Sequence, residues 1–76
     1  MNFNEKIKTA RIAKQWSQKD LSEKTGISLR TIQNYELGTR MPKKKETYTL
    51  LADALEIDAH SLLDENVSFV LRANEQ

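Results

Sequence analysis

The sequence predicts an all-α fold of five short helices packed as one compact bundle. Three features of the 76-residue chain carry that expectation. Apolar residues recur at spacings of three and four in segment after segment, the period of a helix with one buried face. Ser, Asn or Asp precedes these segments, where a short polar side chain accepts the free backbone N–H groups of a helix start. Gly26, Gly38 and Pro42 fall where apolar patterns stop, as helix C-caps and loop residues do.

Phe3, Ile7, Ala10 and Ala13 form one stripe while Glu5, Lys6, Lys8 and Lys14 lie elsewhere, so residues 4–15 read as an amphipathic helix that Asn2 or Asn4 could cap. Trp16 follows between two helices, an aromatic plug for the core beside Ile7 and Ile12. Ser17 opens a second helix, with Asp20 three residues on resembling a capping box. That helix ends near Thr25, because Gly26 reaches positive φ without a Cβ penalty. Ser28 caps a third helix, which closes at Gly38. Leu21 and Thr25 face inward from the second helix, Ile32 and Tyr35 from the third, and Ile27 fills the corner. A small Ser22 lets the two helices cross closely.

Residues 39–45 contain the only proline and four basic residues, and read as a loop. A fourth helix resumes near Lys44 and ends at Ile57. It buries Tyr48, Leu51 and Leu55, and Ala52 and Ala54 permit close approach. Asp58 caps a short fifth helix over residues 59–63, whose Leu62 and Leu63 close the core. From Asp64 onward Val67, Phe69, Val70 and Leu71 bunch together, a pattern that fits a short strand or one or two helical turns. Helical turns are the reading preferred. The apolar ending also reads as that of an N-terminal domain taken from a longer chain.

Composition narrows the chemistry. A chain this short makes one small domain with a modest core. The absence of cysteine excludes a disulfide frame or thiolate metal site and fits a reducing cytoplasm. No apolar run approaches the ~20 residues needed to span a bilayer, and the polar N-terminus is no signal peptide. His60 is the only histidine, so neither a nucleophile–base pair nor a multi-histidine metal cluster can be built. Although Asp58 and Asp64 flank it, His60 reads as a surface residue. The expectation is a cytoplasmic binding domain with no enzymatic activity, cofactor or metal. Charge indicates the partner. The overall +1 divides into +7 over residues 1–45 and −6 over residues 46–76, so a basic half containing the second and third helices points to a polyanion.

The stretch Ser17 to Gly38, SQKDLSEKTGISLRTIQNYELG, resembles the helix-turn-helix of the phage repressor and Cro family. Its matching features are W-S-Q at 16–18, the small-residue/Gly/Ile spacing at 22, 26 and 32, and the closing Y-E-L-G. P-K-K-K-E-T-Y followed by L-L-A-D-A-L-E-I resembles the family's fourth helix, so the likeness covers residues 3–63. Ser22 departs from the family's usual alanine, and the lysine-rich segment is about one residue longer. The resemblance implies a lambda-repressor-like bundle with the helix-turn-helix at helices 2 and 3. It further implies a bacterial or phage transcriptional regulator, a repressor, that binds double-stranded DNA as a homodimer on an inverted repeat. Residues 1–63 would be the DNA-binding domain. Residues 64–76 would be a tail, the start of a further segment or a dimerisation element.

With Ile32 and Tyr35 inward, the helical period turns Leu29, Arg30, Gln33 and Asn34 outward, with Thr31 and Leu37 on the flanks. Arginine can pair with guanine O6 and N7, Asn or Gln with adenine N6 and N7, and leucine can touch a thymine methyl. Periodicity alone slightly favours a solvated polar face; the resemblance reverses that and assigns the four to base contact. It likewise assigns Gln18 to a phosphate or to a bridge toward the third helix. Ser28, Thr31, Thr39, Arg40 and Lys43 are assigned to phosphates, leaving Lys44 and Lys45 open. Arg11 and Glu36 match the family's structural ion pair. A rival from another class is a protein-interaction module on the same fold, an antitoxin or a coactivator bridge, with the acidic half as its partner surface.

Overall fold

A computed structural model describes residues 2–62. They form α1 (Phe3–Ala13), α2 (Gln18–Thr25), α3 (Leu29–Leu37), α4 (Lys45–Leu55) and α5 (Ala59–Leu62), with no strand among the described residues. The expected burial of Leu63, the helix-or-strand reading of the tail and the domain boundary at residue 63 lie outside the described residues.

Side chains set the helix starts. Asn2, rather than Asn4, caps α1: its side chain accepts the Glu5 N–H at 3.1 Å, while the Glu5 carboxylate accepts the Asn2 N–H at 3.4 Å. Ser17 and Asp20 exchange the equivalent bonds at 3.0 and 2.8 Å. The Ser17 backbone N–H holds the Asp20 carboxyl below the usual carboxylate range, so this cap supports the fold at neutral pH and weakens as the carboxylate is protonated in acid.

The helix ends are less regular than expected. Residues after α1, α3 and α4 turn through the left-handed region, at Gln15 (φ 62°), Gly38 (φ 83°) and Glu56 (φ 59°). In each case the following N–H bonds back five residues: Trp16 to Arg11 at 3.1 Å, Thr39 to Asn34 at 3.1 Å, Ile57 to Ala52 at 2.9 Å. Helix α1 therefore stops at Ala13, short of the expected residue 15, and α4 stops at Leu55, short of Ile57. Left-handed Gln or Glu costs local energy that surrounding contacts must offset. One such contact is the Lys14–Glu56 ion pair, which ties the two irregular ends together.

Helix α1 packs on α3, α4 and α5, while α2 packs on α3 and α4. Phe3 sits at the centre. Its ring meets Tyr35 edge-on at 5.8 Å and Tyr48 at 5.3 Å, joining α3 to α4 through the first residue of α1. Around it Ile7, Leu21, Ile32, Leu51, Leu55 and Leu62 are buried, and Ala10, Trp16 and Ile27 pack at the edge. Two expectations fail here. Ile12 is 55% exposed, and Ala13 is exposed, so neither joins the core. Five positions after Ile7, Ile12 points about 140° around the helix from it. Trp16 does pack on the core, but its outer side lies against the ammonium groups of Lys14 and Lys24, 5.3 and 5.5 Å from the ring centroid.

The turn between α2 and α3 is cross-linked by hydroxyls. Ser22 Oγ donates to the Ile27 carbonyl; Thr25 Oγ1 donates to the Leu21 carbonyl at 2.8 Å and accepts the Ile27 N–H at 3.2 Å. Ser22 therefore does more than make room. Gly26 sits at φ 78° with nothing near the place a Cβ would occupy.

One flank of α3 is anchored by charge. Arg11 of α1 grips the Glu36 carboxylate with two bonds, Nε to Oε2 at 2.7 Å and Nη2 to Oε1 at 3.0 Å. Its remaining guanidinium nitrogen donates to the Trp16 carbonyl at 2.7 Å, and Gln18 Nε2 of α2 donates to Glu36 Oε1 at 3.2 Å. The pair is largely withdrawn from water, with side-chain exposures of 11% and 4%. Bonding to Glu36 raises the pKa of Arg11 above its ordinary value against the opposing pull of burial, so the guanidinium stays charged.

Two outcomes follow. Gly26→Ala should lower unfolding free energy by about 1–2 kcal/mol from backbone conformation alone, with Gly26→Asn milder, as read from denaturant midpoints at constant m-value. Glu36→Ala should cost roughly 3 kcal/mol, since it strands a partly buried Arg11 that keeps only the Trp16 carbonyl. In a double-mutant cycle, Arg11→Ala added to Glu36→Ala should cost much less than it does alone.

Candidate nucleic-acid interface

With Ile32 and Tyr35 buried and Glu36 turned to Arg11, one arc of α3 is left facing away from the bundle. Leu29, at the first position, is 40% exposed, and Arg30 is exposed; Gln33 and Asn34, one turn later, are half-buried. Helical geometry puts these four on an arc of about 140°. Among the described residues, none hydrogen-bonds to the side chains of Arg30, Gln33 or Asn34. Their donors and acceptors are open to a ligand. The structure adds Leu37 to this face: it is 72% exposed and lies one turn beyond Gln33. The same spacing that selected Gln33 could have moved Leu37 from the flank to the centre of the arc.

The residues expected at phosphates divide into two groups. Ser28, Thr31, Thr39 and Gln18 all hold internal bonds. Ser28 Oγ accepts the Thr31 N–H at 3.2 Å and gives its own proton to Thr31 Oγ1 at 2.8 Å. Ser28 thus has no free donor, whereas the Thr31 hydroxyl proton remains available. Thr39 Oγ1 donates to the Asn34 carbonyl at 3.3 Å, closing the end of α3. Gln18, for which two roles were open, bridges to Glu36 on α3. Its second amide N–H is still unused.

Arg40 and Lys43 form the second group, and both are exposed. Between them Pro42 is buried, an anchor that the reading of residues 39–45 as a plain loop did not anticipate. Arg40 lies close enough to Tyr35 for its charge to oppose the burial that pushes the Tyr35 hydroxyl up. Lys44 precedes α4 in extended conformation without a side-chain cap bond, and Lys45 begins the helix. A helix start without a side-chain cap, with Lys43 and Lys44 before it and Lys45 at its first position, places N–H groups and positive charge together, which favours anions, although Glu46 in the first turn opposes this.

Elsewhere the chemistry is sparse. His60 is exposed, and its backbone N–H bonds to Asp58 Oδ1 at 3.2 Å, so Asp58 supports the start of α5 as expected. Among the described residues, no cluster of three or more His, Cys, Asp or Glu is placed to hold a metal ion, and no helix is long and apolar enough to cross a membrane.

The curated proteins and the solved structures contain no match to the chain. A family model described as a helix-turn-helix domain matches residues 4–66, a span that takes in α2, α3, the turn between them and the helices that brace them. The chain belongs to the helix-turn-helix domain family, a family of DNA-binding domains.

Proposed function

We propose that the chain is a sequence-specific transcriptional regulator of the Cro/repressor type, a repressor that lays α3 in the major groove of double-stranded DNA. The observation that carries this reading is the outward arc of α3, whose Arg30, Gln33 and Asn34 side chains have no hydrogen-bond partner among the described residues, while Glu36 on the flank of that arc bolts the helix to α1 and α2. In this reading Arg30 reads guanine, Gln33 and Asn34 read adenine, and Leu29 packs on a thymine methyl. Thr31, Arg40 and Lys43 hold phosphates, with the α2 start beside Gln18 as a further backbone clamp. Ser28 and Thr39 act by shaping the two ends of α3. The protein works in the cytoplasm, where its operator lies.

Two copies bind an inverted repeat, since one module buries too little surface for high affinity and one α3 reads only a few base pairs. Their recognition helices would enter successive major grooves, about 34 Å apart. The end of α4 through α5 is the surface that brings the copies together, because it lies in the acidic half that DNA would avoid.

Selection of bound duplexes from a random pool supplies the preferred site. On it, Arg30→Ala and Asn34→Ala should each lose roughly 1–3 kcal/mol of binding while changing little on random DNA. Lys43→Ala should weaken both alike and flatten the salt dependence by about one unit of slope. Equal losses on both DNAs for Arg30 and Asn34 would move those residues to the phosphate class, and absence of salt-dependent duplex binding would favour an antitoxin-like or coactivator-bridge role. The dimer is tested by titrating full palindrome and single half-site while measuring complex mass. The expected outcome is two chains on the palindrome with much the higher affinity; one chain per duplex with equal affinity would refute it.

A further inference from the structure

Leu37 is the most exposed large apolar side chain among the described residues, at 72%, and it takes no part in the core. Nor does it close its own helix. The end of α3 is closed by the Gly38 and Thr39 N–H groups, which bond to the Asn34 and Tyr35 carbonyls, and by the Thr39 hydroxyl. A lysine or arginine here would extend the helix as well as leucine does and would keep its water. The place of Leu37 on the arc is central. The helical period sets it about 20° around the axis from Arg30, about 40° from Gln33 and about 60° from Asn34. An exposed leucine therefore stands among polar side chains that have no hydrogen-bond partner among the described residues.

We propose, on the DNA reading of α3 given above, that Leu37 is a specificity-determining residue that packs on the C5-methyl group of a thymine in the major groove. Its surroundings select that partner. An apolar protein surface laid over Leu37 would also cover Arg30, Gln33 and Asn34 and leave their donors and acceptors unmet, at a cost that burying one leucine does not offset. The major groove offers the matching combination. Base edges supply donors and acceptors for the polar side chains, and the thymine methyl is the apolar group among them. Arg40 and Lys43, both exposed in the segment that follows Leu37, suit the flanking phosphates. Base contacts gather toward the N-terminal end of a recognition helix. Leu37 reaches a base where α3 runs along the groove, and the helical rise then places its thymine about 12 Å, or roughly three to four base steps, from one under Leu29.

The test takes the duplex that the full 76-residue chain selects from a random pool and replaces each thymine in turn by uracil, which pairs with adenine alike and lacks only the methyl. For the unaltered chain, uracil under Leu37 should weaken binding about fourfold, the worth of burying one methyl-sized group. Leu37→Ala should lose that sensitivity and keep the sensitivity to uracil under Leu29, and Leu29→Ala should show the converse. Because Leu37 is exposed, its replacement should leave the thermal midpoint nearly unchanged, so the altered pattern reports contact rather than folding. The same uracil pattern in Leu37→Ala as in the unaltered chain would overturn the proposal and leave the DNA reading of α3 standing. Failure of the unaltered chain to bind any duplex in a salt-dependent way would overturn that reading and the role of Leu37 with it.

Discussion

The Glu36 carboxylate is where three helices are brought into register. Its two oxygens accept from Arg11 on α1 and from Gln18 on α2, while its own backbone belongs to α3. Apolar packing is non-directional, and Ile32 and Tyr35 alone would tolerate some rotation of a nine-residue helix about its axis. A two-pronged guanidinium–carboxylate bond does not, because both N–H groups and both oxygens must stay coplanar. The outward set of α3 side chains is therefore determined from the flank of the arc, where Glu36 lies. Arg11 extends the same constraint to the chain between α1 and α2 by holding the Trp16 carbonyl. Desolvating such a pair has a cost, so its merit lies more in specifying one arrangement than in adding stability.

The turn between α2 and α3 serves the same end by different means. Gly26 supplies a backbone conformation that a side chain would strain, and the Ser22 and Thr25 hydroxyls occupy the carbonyl and N–H groups that the turn leaves unpaired. Phe3 completes the frame by touching Tyr35 and Tyr48 together. In the function proposed above, α3 presents side chains to base edges and needs its axis held within small tolerances; the holding residues come from α1, α2 and α4.

Charge is organised on a larger scale than any pair. The basic half holds α1, α2, α3 and the loop that follows, and the acidic half holds nearly all of α4 and the rest of the chain. Such a polarised domain approaches a polyanion in a preferred orientation, so the field guides encounter before any specific contact forms. The acidic end meanwhile resists wrapping of a polyanion around the whole surface.

What the sequence by itself determined is what local chemistry and periodicity control. Ser17 with Asp20, Ser28, Gly26 and Gly38 mark their helix ends because each signal acts within a few residues of its own backbone. The burial of Phe3, Ile7, Leu21, Ile32, Tyr35, Tyr48, Leu51, Leu55 and Leu62 follows from spacing for the same reason. The outward positions of Leu29, Arg30, Gln33 and Asn34 are the complement of that pattern, whereas their assignment to bases rests on the family likeness. Tertiary structure decided the rest. Gln15 and Glu56 take left-handed conformations that their own side chains disfavour, and these stops shortened α1 and α4. Ile12 is apolar yet faces water, Pro42 is a loop residue yet is buried, and Ser28 and Thr39 spend their hydroxyl protons on neighbours. Ile12 faces water because the helical period turns it from Ile7, and Ser28 and Thr39 bond groups three and five residues away, but the stops at Gln15 and Glu56 and the burial of Pro42 depend on groups brought together by packing, at separations over which periodicity and propensity carry no information.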